Sequence, residues 1–463
     1  THGFLLSHFL SAHTNHRTDE YGGNLENRTR LCRELIEETR NAVGDKCAIA
    51  VRLDVNGIAN DSESRDLFSL ISELPDLWDI TVEDYSHEMG VSRFVSEGSL
   101  ESQMAFVKSA TTKPVVSVGR FTSPDTMVSY IKRGISDFIG AARPSIADPF
   151  LPVKIEDGKP EDIRECIGCN ICYAGDGLGV PIRCTQNPTM GEEWRKGWHP
   201  ETIGASQSDD KILIVGAGPA GLECAHALGK RGYEVMVSEA RRELGGRVTL
   251  ESRLPGLSEW ARVRDYRTRQ LQSMSHVEIY PESKLTEDDV LLINPDHVVI
   301  ATGSSWRNDG FGRSNLAGIA GLDVQPEVYS PDDIMAGNIP LGRLLVFDDD
   351  NYYMAAVLSE LLKKSGSEVT YVTPGNLVSS FGVRTVEQYA TQKRLIEMGV
   401  NLALAHNLHS FDGNKATIKC VYTGRSQSMA SDAIVAVTAS TPNEQLYRQL
   451  ADKFAGGTLA SVK

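Results

Sequence analysis

The chain has 463 residues, of which 41% are hydrophobic and 24% charged, a composition typical of soluble globular proteins with roughly two to four domains. Its formal net charge of −15 argues against a nucleic-acid-binding protein, because phosphate backbones attract basic surfaces. No apolar run approaches the roughly 18 residues needed to cross a bilayer, so we expect no membrane-spanning segment.

The ends of the chain and its cysteines indicate where it belongs. The N-terminus lacks a basic segment and a cleavage site, so we predict no signal peptide. The cysteine usage is typical of a reducing compartment, and we expect a cytoplasmic protein. Because the chain starts in the middle of a pattern and ends without a final strand, we expect it to be truncated at both ends.

Residues 1–155 alternate short apolar strands with amphipathic helices. This alternation predicts a parallel sheet covered by helices. We therefore expect the C-terminal half of a TIM (β/α)8 barrel, with the active site at the carboxyl ends of its strands. The predicted strands cover 48–53, 78–82, 114–120 and 137–143, and the predicted helices cover 27–43, 63–74, 100–110 and 124–133.

Two of these strands end in a glycine close to an arginine. Gly119 and Arg120 end the third predicted strand, and Gly140 and Arg143 end the fourth. Glycine lets backbone N–H groups approach a phosphate, and arginine supplies bidentate donors. The loops after the last two strands of a TIM barrel form its usual phosphate site. We predict phosphate binding here, the alternative being ordinary surface arginines.

The segment 156–208 carries four cysteines in a pattern typical of metal ligands. Cys166, Cys169 and Cys172 repeat at a two-residue spacing, and Cys184 follows later. A zinc ribbon normally has two separated Cys-x-x-Cys pairs, whereas a triplet with one distant cysteine favours a [4Fe–4S] cluster. We predict such a cluster on these four residues. Zinc, and redox-active or structural thiols, are the alternatives.

A nucleotide-binding pattern follows the polar linker. Residues 211–221 predict a strand, a glycine turn and a helix, in which Gly216, Gly218 and Gly221 admit a pyrophosphate to the helix N-terminus. Glu239, at the end of the next strand, is placed to bind a ribose hydroxyl.

Two further turns match flavoproteins with two dinucleotide-binding domains. One contains Arg247 after a pair of glycines, and the other contains Thr302 and Gly303 after an apolar strand. We therefore predict a Rossmann-like domain that binds ADP or FAD, over 209–335 and 420–463.

Residues 336–419 predict a degenerate NAD(P)-type domain inserted into the first. The turn after its first strand holds Asp348, Asp349 and Asp350 where glycines are needed. Like charges would repel a pyrophosphate by about 1–4 kcal/mol per pair. Alternatively, these acids cap a helix that begins near Asn351. On either interpretation we expect no NAD(P)H binding at this turn. We also expect the strand at 432–438 to return to the first nucleotide-binding domain.

The N-terminal segment is the most family-specific part of the sequence. His2-Gly3-Phe4-Leu5-Leu6, followed by 15–28, is similar to the old yellow enzyme family. Together with the cysteine triplet and the run 182–195, it makes the chain resemble the iron–sulfur flavoprotein branch of that family. This branch contains trimethylamine, dimethylamine and histamine dehydrogenases and is related to 2,4-dienoyl-CoA reductase.

The resemblance implies that the barrel binds FMN. Arg52 would lie against the N1/C2=O edge of the flavin, where a fixed positive charge stabilises the anionic reduced form. Gly119, Arg120, Gly140 and Arg143 would hold the FMN phosphate.

The resemblance also implies an amine site. His2 would pair with a carboxylate, either Glu88 or Asp84, and hold the amine in the correct protonation state. The alternative for His2 is an exposed imidazole. Asp176 stands where trimethylamine dehydrogenase has an aromatic residue. It either binds a second ammonium group or is a solvated loop acid.

These expectations combine into an FMN- and [4Fe–4S]-dependent oxidoreductase. It would oxidise an amine or N-methylated amine and pass electrons singly to an electron-transfer flavoprotein. We expect a homodimer when the protein is full length. The alternatives are an NAD(P)H-dependent enoate or 2,4-dienoyl-CoA reductase, and a truncated, non-enzymatic, cluster-bearing ADP-binding module.

Overall fold

The computed structural model of the chain describes residues 4–54, 62–82, 88–194 and 203–455. It divides into two compact units, Thr1–Asn170 and Ile171–Lys463. No helix among the described residues combines the length and the apolar character needed to cross a bilayer.

The first unit is built on a parallel sheet. The strands are β1 (Ala50–Asp54), β2 (Leu77–Thr81), β3 (Val115–Ser117) and β4 (Phe138–Ile139), and they pair in this order. The helices are α1 (Leu5–Leu10), α2 (Leu25–Val43), α3 (Ser62–Ile71), α4 (Glu101–Ser109), α5 (Pro124–Lys132), α6 (Ala142–Ala147) and α7 (Leu151–Glu156), with 3-10 turns at Gly44–Lys46 and Pro160–Asp162.

Helices cover one face of this sheet. Leu53, Trp78 and Ile80 are buried in one apolar cluster with helix residues such as Phe68. The indole of Trp78 packs 5.1 Å from the ring of Phe68 and donates to the carbonyl of Ser72 at 2.7 Å. Since successive strand residues point to opposite faces, Arg52 lies on the other face of the sheet. This arrangement is that of a β/α barrel, with helices outside and charged groups inside.

The second unit contains two parallel sheets. The first joins β5 (Lys211–Val215), β6 (Glu234–Ser238), β7 (Val277–Tyr280) and β8 (His297–Ile300) in the order β7-β6-β5-β8. Helix α8 (Ile171–Leu178) precedes the first strand of this sheet. The helices that follow are α9 (Pro219–Arg231), α10 (Arg247–Glu251), α11 (Ala261–Gln272) and α12 (Glu287–Ile293), with a 3-10 turn at Ser258–Trp260. This is the order of a Rossmann-like nucleotide-binding sheet.

The second parallel sheet has the order β10-β17-β11-β12-β13, an antiparallel sheet has the order β14-β15-β16, and β9 pairs with β18. The strands are β9 (Ser304–Trp306), β10 (Val328–Tyr329), β11 (Arg343–Asp348), β12 (Glu368–Val372), β13 (Asn401–Ala403), β14 (His406–Phe411), β15 (Lys415–Cys420), β16 (Ser426–Ala430), β17 (Ala433–Val437) and β18 (Ser440–Pro442). The helices are α13 (Pro331–Met335), α14 (Tyr353–Lys364), α15 (Gln388–Glu397) and α16 (Gln445–Ala455), with a 3-10 turn at Ser380–Val383.

The strand predicted at 432–438 belongs to a different sheet from the one expected. β17 pairs with β10 and β11 in the second parallel sheet. The prediction that this strand joins the first nucleotide-binding domain is therefore wrong. Every residue of β17 is buried, and a buried apolar run does not encode which sheet it joins. The chain does return afterwards, because Leu450 of α16 packs against Leu213 and Val298 of the first sheet. The predicted domain limits stay predictions.

A fully buried carboxylate lies at the end of β11. Asp348 accepts hydrogen bonds from the hydroxyl of Tyr371 and from the N–H of Asn351, the latter at 2.8 Å. Helix α14 begins at Tyr353, and its N-cap residue makes no side-chain cap bond. The N-cap residue of α14 is Tyr352, so none of the three acids is the N-cap, and the prediction of helix capping is wrong in that sense. Asp348 instead binds the N–H of Asn351, before the helix, and the hydroxyl of Tyr371.

Burial raises the pKa of Asp348 to about 7, from its usual 3.8. The folded protein thus binds this proton more tightly than the unfolded chain, and the resulting stability is lost as pH rises from about 4 through about 7. Asp348→Asn keeps the shape and removes the charge. We expect its free energy of unfolding to exceed that of the native protein near pH 8, with the difference shrinking as the pH falls and vanishing only near pH 4, in denaturant titrations at about these pH values.

The matched control is Asp323→Asn, which alters an exposed carboxylate of the same unit. We expect it to track the native protein at both pH values. A destabilised Asp348→Asn variant near pH 8 would contradict a buried, costly charge at this position.

Candidate functional site

Arg52 lies between two carboxylates at the sheet of the first unit. Its Nε is 3.6 Å from Oδ2 of Asp79 on the neighbouring strand, and its Nη2 is 3.2 Å from Oε1 of Glu88. The Arg52 side chain is 41% exposed and that of Glu88 is 14% exposed. Two residues predicted to be catalytic therefore meet in one ion pair. Asp79, the third member, was not predicted.

Arg143 braces the loop that carries Glu88. Its Nη2 donates to the carbonyl of Glu88 at 3.0 Å, and its Nη1 donates to the carbonyls of Met89 and Gly90 at 3.2 and 3.1 Å. The same Nη1 donates to Oδ1 of Asn170 at 2.5 Å. The guanidinium is thus surrounded by carbonyl and amide oxygens, which fixes Glu88 relative to the end of the fourth strand.

The other predicted phosphate residues lie in the turns after β3 and β4. Gly119 accepts a hydrogen bond from the N–H of Gly98 at 2.8 Å, and Gly140 donates to the carbonyl of Ser117 at 2.8 Å. Arg120 has a left-handed backbone, with φ of 55°, and is buried. β3 and β4 are neighbours, so the two turns share one edge of the sheet. The structure thus brings these residues to one edge, and their phosphate role stays a prediction.

The first two cysteines of the triplet lie beside these turns. The N–H of Gly168 donates to Sγ of Cys166 at 3.3 Å, and the hydroxyl of Thr122 donates to the Cys166 carbonyl at 2.9 Å. A Cβ on Gly168 would lie 3.0 Å from Nη1 of Arg120, so the arginine packs against the loop that holds Cys169. An N–H donor to sulfur suits a thiolate ligand, because it stabilises negative charge on the sulfur.

Cys172 and Cys184 belong to the second unit. Cys172 is in α8, whose last turn is held by a hydrogen bond of 2.9 Å from Nη1 of Arg384 to the carbonyl of Gly177. Sγ of Cys184 accepts the N–H of Gln186 at 3.3 Å, the same local geometry as at Cys166.

The N–H donors to the sulfurs of Cys166 and Cys184 suit thiolate ligands, and all eight cysteines of the chain are thiols rather than disulfides. Across the described residues, no group of three or more His, Cys, Asp or Glu side chains is arranged to hold a single metal ion. The cluster prediction thus rests on the spacing of the cysteines and on the two N–H donors to sulfur.

The predicted pyrophosphate turn after β5 has the expected shape. Gly216 adopts a φ of 105°, and a Cβ there would collide with the backbone of Ala301. A Cβ on Gly221 would collide with the carbonyl of Gly216, so this glycine lets helix α9 approach the strand. Gly218, by contrast, has open space around its Cβ position and begins α9. The space in front of this helix N-terminus is suited to an anion.

The predicted ribose and flavin residues surround this turn. Oε2 of Glu239 accepts the N–H of Ala217 at 2.8 Å, which fixes the carboxylate beside the glycines. Nη2 of Arg247 donates to the carbonyl of Ser304 at 2.5 Å. Arg247 is therefore turned towards the strand after Gly303.

Asn443 forms hydrogen bonds with Thr302 and Gly303, the two predicted residues that follow β8. Its carbonyl accepts the hydroxyl of Thr302 at 2.7 Å, and its N–H donates to the carbonyl of Gly303 at 2.9 Å. These contacts link Thr302 and Gly303 to the segment just before α16. They join residues far apart in the sequence, so the chain carries no local signal for them.

The second nucleotide-type turn is closed by the chain itself. The N–H of Ser314 donates to Oδ2 of Asp349 at 2.8 Å, and Nη2 of Arg313 lies 4.0 Å from Oδ1 of Asp350. The segment 312–314 therefore lies against the turn, where a pyrophosphate would need to bind. The sequence predicted repulsion by these acids, and the structure adds a steric reason.

Of the remaining predicted site residues, the structure describes only Asp176. His2 and Asp84 lie outside the described residues. Asp176 is exposed in α8, where its carbonyl accepts the N–H of Gly179 at 3.0 Å. Its side-chain role stays a prediction.

Comparisons with known proteins cover both units. The model of the NADH:flavin oxidoreductase / NADH oxidase family matches residues 1–162. A model of an NAD(P)-binding Rossmann-like domain matches residues 214–279, and that of the OYE-like second alpha/beta domain matches residues 329–431.

Individual relatives agree with these models. The dimethylamine dehydrogenase of Hyphomicrobium sp. (strain x) is 36% identical over 97% of this chain and 66% of its own length. The structure of 6-hydroxypseudooxynicotine amine oxidase from Pseudomonas geniculata N1 is 46% identical with a TM-score of 0.94, covering 99% of this chain and 70% of that one. Histamine dehydrogenase from Rhizobium sp. 4-9 is 45% identical with a TM-score of 0.95, covering 100% and 69%.

The chain thus spans about two thirds of the dimethylamine dehydrogenase and slightly more of the two solved structures. Similarity over nearly the whole chain to three amine-oxidising flavoproteins confirms the resemblance inferred from the sequence. The chain belongs to the old yellow enzyme-like NADH:flavin oxidoreductase / NADH oxidase family, in the branch that contains dimethylamine and histamine dehydrogenases.

Proposed function

We propose that the chain is the catalytic and electron-relaying part of a flavin-dependent amine dehydrogenase. The observation that carries this proposal is the pairing of Arg52 with Glu88 on the face of the barrel sheet opposite the buried apolar cluster. In this proposal the cation would bind the flavin and the carboxylate would bind the ammonium group. Support comes from relatives whose names describe dimethylamine and histamine as substrates.

Glu88 is the proposed ammonium-binding group. An ion pair between partly exposed side chains is worth only about 0–1 kcal/mol, so a protonated amine can compete with Arg52 for this carboxylate. Glu88 is nonetheless held firmly, because Arg143 binds the carbonyls around it. His2, Asp84 and Asp176 complete the proposed site as residues that set the protonation state or bind a second ammonium group.

The residues around the barrel sheet fit FMN. Arg52 would offset the negative charge of the reduced isoalloxazine, and its neighbour Asp79 would keep the guanidinium in place. The phosphate would lie at the turns of Gly119 and Gly140, with Arg120 and Arg143 nearby. When bound, FMN supplies an acceptor for two electrons and a hydride from the C–H next to the amine nitrogen.

Four thiolates form the proposed one-electron site. Cys166, Cys169, Cys172 and Cys184 would hold a [4Fe–4S] cluster, which exchanges electrons singly. The N–H donors to Cys166 and Cys184 suit charged sulfur ligands. A one-electron site favours an acceptor of single electrons, and an electron-transfer flavoprotein is the partner we propose. A homodimer is the proposed assembly.

The nucleotide site of the second unit would hold ADP or FAD. Gly216, Gly218 and Gly221 shape the turn, and Glu239, whose carboxylate accepts the N–H of Ala217, would bind a ribose hydroxyl. The blocked turn at Asp349 argues against NAD(P)H as the electron source, which disfavours the enoate reductase alternative.

Anaerobic mixing tests the direction of electron flow. With the protein isolated in its flavin-loaded form, we expect amines or N-methylated amines to bleach the flavin absorbance rapidly, and NADPH to bleach it slowly or not at all. Rapid bleaching by NADPH and none by a panel of amines would establish the reductase instead. A chain that retains no flavin would support the non-enzymatic alternative.

Replacing the proposed ammonium-binding group tests the substrate class. Glu88→Gln removes one charge-assisted hydrogen bond, worth about 1.5–3 kcal/mol, so we expect KM for an amine to rise by about 10- to 100-fold. The measurement is steady-state turnover with an artificial one-electron acceptor. Glu37→Gln, on the exposed face of α2, is the matched control, and equal effects of the two changes would contradict the assignment.

The open glycine of the nucleotide turn allows a clean test of ADP binding. Gly218→Ala fits its φ of −72° and meets no neighbour, so the protein should fold normally while the methyl group occupies the pyrophosphate space. We expect ADP affinity to fall at least about tenfold by calorimetry, a cost of about 1.4 kcal/mol. Gly204→Ala, in the linker with open space around it, should bind ADP normally. Normal binding by Gly218→Ala would place the nucleotide elsewhere.

A further inference from the structure

Arg267 is a buried arginine of α11 that the proposed chemistry does not use. It is 3% exposed, and each nitrogen of its guanidinium donates a hydrogen bond. Nε donates to Oε2 of Glu223 at 2.6 Å, and Nη1 donates to the carbonyl of Val263 at 2.9 Å. The remaining donors go to one residue, Gln186.

Gln186 is held at two points by this arginine. Nη1 of Arg267 donates to Oε1 of Gln186 at 2.9 Å, and Nη2 donates to the Gln186 carbonyl at 3.0 Å. Gln186 is itself 1% exposed, so water does not compete for these bonds. A planar guanidinium can satisfy both acceptors and Glu223 together, whereas the compact ammonium of lysine cannot.

The N–H of the same Gln186 donates to Sγ of Cys184 at 3.3 Å. Arg267 binds the carbonyl and the side chain of Gln186, two of the three groups attached to the Cα that also carries this N–H, and so restricts the position of the N–H. Arg267 and Gln186 lie far apart in the sequence, which excludes a merely local turn contact.

Arg267 also connects Gln186 to helix α9, through its hydrogen bond with Glu223. Glu223 lies in α9, the helix that begins at the Gly218 turn. The carboxylate of Glu223 offsets the charge of the buried Arg267 guanidinium, so this contact helps to hold Arg267 in place. A sulfur ligand of the cysteine site is thereby tied to the framework of the ADP or FAD domain.

We propose that Arg267 is a positioning residue for the Cys184 ligand. It holds Gln186 so that its N–H donates to the sulfur, and this raises the reduction potential of the cluster. Hydrogen bonds to the sulfurs favour the reduced cluster, because reduction adds negative charge that the donor stabilises. The inference rests on the proposed function only in requiring that the four cysteines carry a cluster.

The test is a redox titration of the holoprotein monitored by electron paramagnetic resonance. In Arg267→Lys, which keeps the charge and loses the planar fork, we expect the midpoint potential to fall. The reduced-to-oxidised ratio at the native midpoint should drop about fivefold, as expected for loss of one hydrogen bond. Arg269→Gln changes an exposed arginine of the same helix and should leave the midpoint unchanged.

A second variant covers the case in which Arg267→Lys does not retain its cluster. Gln186→Leu keeps the backbone N–H and removes the Oε1 contact to Arg267, so a smaller shift in the same direction is expected. An unchanged or raised midpoint in whichever of the two variants keeps its cluster would overturn the inference.

The experiment separates this inference from the proposed function. Amine turnover is not measured, so a protein that oxidises no amine can still show the shift. Zinc or bare thiols in the unsubstituted protein would give no cluster signal and would overturn the cluster assignment together with this inference. A normal native signal with an unmoved variant would overturn the inference alone.

Discussion

One guanidinium shared by two carboxylates organises the first unit. Asp79 reaches Arg52 from the neighbouring strand, and Glu88 reaches it from the loop that follows the same strand. Asp79 is set by the register of the sheet, whereas Glu88 depends on a loop that Arg143 must brace. Arg52 thus has one partner set by strand pairing and a second set by a loop that Arg143 holds in place.

Two arginines in the turns after β3 and β4, Arg120 and Arg143, lie next to the first two cysteines. Arg120 packs against Gly168, and Arg143 binds Asn170, so both arginines contact the short segment that carries the first two cysteines. In the second unit, Arg267 and Arg384 have a similar relation to Cys184 and Cys172. Arginine suits the positions of Arg143 and Arg267 because its planar fork satisfies several oxygen acceptors together.

Local patterns in the sequence were sufficient for much of the fold. The strand–helix alternation of the first unit and the Gly216–Gly221 turn depend on neighbouring residues, and both match the structure. The helix predicted at 27–43 starts slightly earlier because Asn24 caps it. Arg52 and Glu88 were each predicted as site residues from the family resemblance, whereas their pairing with each other is seen only in the structure.

Contacts between distant segments could not be predicted in the same way. The position of β17 beside β11 depends on which of two apolar sheets accepts a buried strand. The partners of Arg143 and the clamp of Asn443 on Gly303 join loops far apart in the chain. The three aspartates after β11 seemed equally suited to capping a helix, because burial of Asp348 is a property of the packed core. Hydropathy and spacing carry no information on these pairings.

The central claim is that electrons from an amine reach a cluster on the four cysteines through a flavin held near Arg52. The most direct measurement is low-temperature electron paramagnetic resonance after anaerobic addition of an amine to the flavin-loaded protein, with no other reductant present. We predict the signal of a reduced [4Fe–4S] cluster. A cluster that stays oxidised with every amine tested, yet becomes reduced on addition of NADPH, would contradict the account.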